Sequence, residues 1–81
     1  MEVTVHFYSY FKDLTGCAEV RHTAREGETL GELLDELSAQ FPKLAAMRKS
    51  MLVAVGLDYQ SREYRLKPGD DVSLFPPVQG G

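Results

Sequence analysis

Eighty-one residues, 43% of them hydrophobic and 26% charged, make one small domain near the size at which a folded chain buries only about 60% of its surface; one core fits, with little room for an enclosed active site. The net charge is -3 and the nine Lys and Arg are dispersed rather than striped, which leaves no electrostatic footprint for a phosphate backbone or an anionic membrane. A single cysteine, Cys17, excludes an internal disulfide, so packing alone must stabilise the fold, as suits a reducing compartment.

The opening MEVTVHFYSY places Glu2 where a signal peptide would carry basic residues, and the longest apolar run, MLVAVGL, is far too short to span a bilayer. A cytoplasmic location is the expectation. Val3, Val5 and Phe7 alternate with Thr4, His6 and Tyr8, the period of a half-buried strand. SYFKDLTG interrupts the alternation and closes on Gly16, and AEVRHTA resumes an extended pattern; the two predict a hairpin with a long connection. From Thr29 the period changes. Leu30, Leu33, Leu34, Leu37 and Phe41 share one helical face, with Glu32, Asp35 and Glu36 on the solvated other. Thr29 with Glu32 three positions on is a capping box, and Pro42 stops the helix.

A short helical turn through KLAAMRKS leads into MLVAVGL, a central strand rich in β-branched residues. LDYQSREYR reads as an irregular polar segment, and Lys67, Pro68, Gly69 and Asp70 suit a type II turn. The final strand is DVSLF, in which Val72 and Leu74 face the helix while Asp71, Ser73 and Phe75 face away. No repeat or linker divides the chain, so the prediction is one α+β domain over residues 1–78, of β-grasp arrangement with a mixed sheet under one main amphipathic helix, and a short tail over 79–81.

The tail carries the chemistry. Pro76 and Pro77 lack backbone donors and cannot continue an interior ladder, so the chain leaves the sheet stiffened and extended. Gly80 and Gly81 have no Cβ, which suits threading into a narrow channel of another protein. The group delivered there is the Gly81 carboxylate, inert until activated. Adenylation with ATP makes it a mixed anhydride; a sulfur nucleophile displacing AMP leaves a thiocarboxylate, whereas an amine gives an isopeptide bond.

The ending PGDDVSLFPPVQGG, with YFKDLTG after the first strand, the capped helix and LVAVG, closely resembles the small subunit of molybdopterin synthase, a family of β-grasp, ubiquitin-like sulfur carriers. The resemblance spans the whole chain, and FPPV-x-GG is its most specific part. It implies that Gly81 carries the sulfur with Gly80 keeping the tail slim. It also implies a docking surface of Phe75, Pro76, Pro77 and Val78, which Tyr8 and Tyr59 would extend. The partners implied are the large catalytic subunit of the synthase, in a heterotetramer, and a ubiquitin-activating-type adenylyltransferase that uses ATP. This chain itself would bind no cofactor and turn over nothing alone; the acceptor would be a cyclic pyranopterin precursor. The family usually has asparagine after the valine of the central strand, where this chain has Gly56. Related carriers of thiamine, cysteine and tRNA thiolation pathways share the fold and the Gly-Gly end, and a β-grasp interaction domain that carries nothing is the alternative of a different class.

Other residues carry plainer expectations. Cys17 has no nearby base and reads as incidental. His6 and His22 sit on separate strands without ligand spacing, so they are expected to face solvent and no metal site is expected.

Overall fold

The computed structural model describes residues 1–77. Its elements are β1 (Glu2–Phe7), α1 (Phe11–Thr15), β2 (Glu19–Thr23), α2 (Leu30–Gln40), α3 (Pro42–Ala45), β3 (Leu52–Val55), β4 (Asp58–Tyr59) and β5 (Asp71–Phe75). The five strands form one mixed sheet in the order β2-β1-β5-β3-β4. β5 runs parallel to β1, and the other neighbours are antiparallel. This is the β-grasp arrangement expected from the hydrophobic pattern.

Period and parity explain the core. Val3, Val5 and Phe7 of β1, Val72 and Leu74 of β5 and Val53 of β3 are all buried, and the register sets Val5 beside Val72 and Val72 beside Val55. Leu30, Leu33, Leu34 and Leu37 of α2 are buried against them in one cluster. Phe41, the last apolar residue of that helical stripe, meets Phe7 edge-on, with ring centroids 5.7 Å apart. Removing these side chains from water at about 25 cal/mol per Å² is the main favourable term.

The caps of α2 complete the argument from sequence. Thr29 Oγ1 accepts from the Glu32 amide at 3.2 Å, and the Glu32 carboxylate accepts from the Thr29 amide at 3.0 Å. The next two free amides of the helix, Leu30 N and Gly31 N, donate to the carbonyls of Tyr64 and Arg62 at 2.9 Å each. The segment after β4 is thus bound to the start of α2, and Thr29 also bridges Arg65. Arg62 adds bonds from its guanidinium to the carbonyls of Arg48 and Met51 at 3.1 and 2.8 Å. Burial, with the Arg48 charge as a lesser cause, lowers the Arg62 pKa from its ordinary value.

Two stretches differ from the sequence expectation. SYFKDLTG, expected as plain connection, contains α1, whose Phe11 is fully buried and whose end is fixed by Gly16 at φ +78° with its amide bonded to the Lys12 carbonyl. LDYQSREYR is not wholly irregular, because Asp58 and Tyr59 pair with Val55 and Ala54 as β4. A two-residue hairpin makes that pairing possible: Gly56 sits at φ +60°, the conformation that the first central residue of a type II′ turn requires. Asparagine is among the few other residues enriched at positive φ, and glycine adopts it without strain. In the expected type II turn, Gly69 has φ +80° and the Asp70 amide donates to the Lys67 carbonyl at 3.1 Å.

Candidate functional site

Among the described residues, α1, α2 and α3 all bury apolar side chains in one cluster with the inward residues of the strands, and the strand residues of opposite parity form an open face. From β1 and the position after it come Thr4, His6 and Tyr8; from β5 come Asp71, Ser73 and Phe75; from β3 come Leu52 and Ala54; and from β4 comes Tyr59. Phe75 is directly opposite Leu52, and Tyr59 directly opposite Ala54.

The aromatic rings of Tyr8 and Phe75 are stacked, with centroids 4.7 Å apart and planes 12° from parallel. The pair arises from chain direction. β1 and β5 run parallel with Phe7 beside Leu74, so Tyr8 and Phe75 leave the two strands side by side, and the Tyr8 amide donating to the Leu74 carbonyl at 3.2 Å locks the register. His6 lies behind, its ring centroid 6.4 Å from that of Tyr8 and its Nε2 3.3 Å from Asp71 Oδ1. Tyr59 shares the face but not the stack, since strand spacing sets it about 10 Å away laterally. It is 70% exposed. Pro76 and Pro77 follow Phe75 half-buried, immediately after a strand paired on both sides.

Of the expected docking residues, the structure therefore joins Tyr8 to Phe75, leads from Phe75 into Pro76 and Pro77, and sets Tyr59 on the same face at a distance. Val78, Gly80 and Gly81 lie outside the described residues. The sequence reading missed Leu52, half-buried beside Phe75 at the end of the face; the alternation around the buried Val53 was the available signal. It also missed Leu57, fully exposed at the hairpin tip.

This face suits association. It offers aromatic and aliphatic surface with a polar rim of Thr4, Arg21, Glu19 and Asp71, the composition that a protein partner covers. Cys17 stands apart from it, half-buried with Sγ near the Thr15 carbonyl and hydroxyl at 3.8 and 3.7 Å.

His22 departs from expectation. It pairs with Val3 in register and so points to the helix side of the sheet, where its Nε2 lies 2.8 Å from Glu28 Oε2 and 3.0 Å from Glu36 Oε2. Burial pushes the Glu28 carboxyl up, but the Arg25 amide, His22 and the Arg25 side chain outweigh it and hold the pKa below the ordinary glutamate value. The acids of α2 are likewise not merely solvated: Glu32 caps the helix, Asp35 accepts from Arg48 Nε at 2.7 Å, and Glu36 meets His22.

No helix among the described residues is long and apolar enough to cross a membrane. A family model described as the ThiS family matches residues 5–81. The chain is 31% identical to the molybdopterin synthase sulfur carrier subunit of Escherichia coli over 98% of this chain and 99% of the other. It is 29% identical to small archaeal modifier protein 3 of Haloferax volcanii, with 100% of both chains covered. Among solved structures, the complex of subunits 1 and 2 of molybdopterin-converting factor from Helicobacter pylori contains a chain that it matches at TM-score 0.70 and 26% identity, both covered in full. The β-grasp sheet and the match through nearly its whole length together place this chain in the ThiS family, alongside the sulfur carrier subunits of molybdopterin synthase.

Proposed function

We propose that this chain is the sulfur-carrying small subunit of a molybdopterin synthase. The observation that carries the reading is the family match running through residue 81, to relatives named as sulfur carrier subunits. The Gly81 carboxylate attacks the α-phosphorus of ATP on a ubiquitin-activating-type adenylyltransferase, giving the acyl-adenylate and pyrophosphate. A sulfide equivalent then displaces AMP and leaves the thiocarboxylate. In the large subunit that sulfur passes to a cyclic pyranopterin precursor, and water restores the carboxylate.

The stacked Tyr8 and Phe75 support this reading from the side of geometry. They form an aromatic anchor on the face from which the chain runs into Pro76 and Pro77, so the surface held by a partner adjoins the segment presented to it. Large aromatic anchors at the centre of a patch dominate association energies.

The test is intact mass after incubation with ATP, an adenylyltransferase and a sulfide source. One oxygen should be replaced by sulfur, with fragmentation assigning the change to residue 81. Deleting Gly81 should abolish the gain. Persistence of the gain in that variant would remove Gly81 as the carrier, whereas Cys17→Ser should gain the same mass as the wild type. The similarity to an archaeal modifier protein favours a second reading, conjugation to lysines, which amide-linked adducts in the same assay would reveal.

A further inference from the structure

One polar cluster lies on the helix side of the sheet, away from the docking face. Three separate elements build it: His22 from the edge strand β2, Glu28 from the loop before α2, and Glu36 from the middle of α2. The side chain of His22 is 12% exposed and that of Glu28 only 1%. Glu28 Oε1 accepts from the Arg25 amide at 3.2 Å and from its Nε at 3.5 Å. That grip fixes the carboxylate plane and turns Oε2 toward His22, 2.8 Å away. Glu36 Oε2 approaches the same nitrogen at 3.0 Å.

The donors and acceptors do not balance. His22 Nε2 carries at most one hydrogen in any protonation state, and ionised carboxylate oxygens only accept. Two acceptors of like charge thus converge on a single hydrogen. Protonating the imidazole would add its second hydrogen at Nδ1, on the other side of the ring, and leave the shortage at Nε2 unchanged.

A divalent cation in place of that hydrogen removes the mismatch, since nitrogen and both oxygens then each donate a lone pair to it. The three donor atoms already lie within 4.8 Å of one another. Nitrogen and oxygen ligands at zinc distances stand about 3.4 Å apart in a tetrahedral shell, so the contacts at 2.8 and 3.0 Å need only open slightly. Glu36, with its side chain 47% exposed, has room to move. Two carboxylates and a neutral imidazole also neutralise a divalent charge, while the Arg25 guanidinium is directed to Glu28 Oε1 and Glu32.

We propose that His22, Glu28 and Glu36 form a binding site for a divalent transition-metal cation of the zinc class, water completing its shell. The imidazole selects against magnesium and calcium, which take oxygen ligands. Bound there, the ion clips β2 to α2, a structural role independent of sulfur carriage.

Titration of the full chain with zinc sulfate in a calorimeter tests the site. One equivalent should bind and raise the melting temperature, whereas magnesium should do neither. Glu36→Gln, at a half-exposed position that the fold tolerates, should weaken zinc binding at least tenfold, as should His22→Gln. His6→Asn and Cys17→Ser should leave it unchanged. Absence of saturable zinc binding, or binding undiminished in Glu36→Gln, overturns the proposal; loss in Cys17→Ser would assign the metal to the thiol and overturn it equally. Should His22→Gln fail to fold, Glu36→Gln decides alone.

Discussion

The ring of Phe75 stacks on that of Tyr8 across two parallel strands, 4.7 Å between centroids. Such pairs contribute about 0.5–1.5 kcal/mol beyond the area they bury. A double-mutant cycle over Tyr8→Ala and Phe75→Ala, followed by denaturant unfolding, should return a coupling in that range. In binding to a synthase large subunit, Phe75→Ala should cost about 2 kcal/mol or more if the ring is a central anchor. Equal binding by wild type and variant in calorimetry would move the interface elsewhere.

Thr29 and Glu32 close the start of α2 reciprocally. Thr29→Ala should lower stability by about 1 kcal/mol at neutral pH, read from the urea midpoint. The bonds from the Thr29 amide and then from its hydroxyl hold the Glu32 pKa below its ordinary value. A depressed carboxyl stabilises the fold fully above the ordinary glutamate range and loses that contribution as pH falls through its folded pKa. The gap between wild type and Thr29→Ala should therefore be constant from neutral down to that range and narrow below it. A gap that widens on acidification would contradict the box.

Tyr64 donates its hydroxyl to Asp70 Oδ2 at 3.0 Å, and the same oxygen accepts the Lys67 amide at 2.8 Å. Tyr64→Phe should cost about 1 kcal/mol and loosen the turn that feeds β5. Burial first, then the bond to Asp70 and its charge, raise the Tyr64 pKa. The stabilisation is complete below the ordinary tyrosine value and is lost as pH rises through the raised one. Alkaline unfolding curves should show that slope in wild type and lack it in the phenylalanine variant.

How much of this was legible varies with the range of the interaction. α2 could be read in full, because its leucine spacing, its cap and the Pro42 stop are local patterns. The open face was legible through parity in β5, which correctly turned Phe75 away from Leu74. α1 was not, since five residues cannot display a helical period and Phe11 is held by tertiary burial. β4 is two residues long and exists through its pairing with Ala54 and Val55. The environment of His22 depends on a loop and a helix brought to β2 by the fold; Val20, buried side of the same strand, was the only local hint of its direction.

The central place of β5 has a mechanical consequence. β5 is hydrogen-bonded to β1 on one side and β3 on the other, so a pull applied to the chain beyond Pro77 acts along the strand axis against two ladders together. Bonds loaded in shear resist jointly, whereas an edge strand peeled sideways would lose them one at a time. The domain should therefore keep its shape under a load on that side of the chain, and force spectroscopy with attachment at the last residue should find rupture only when β5 leaves both neighbours in one step.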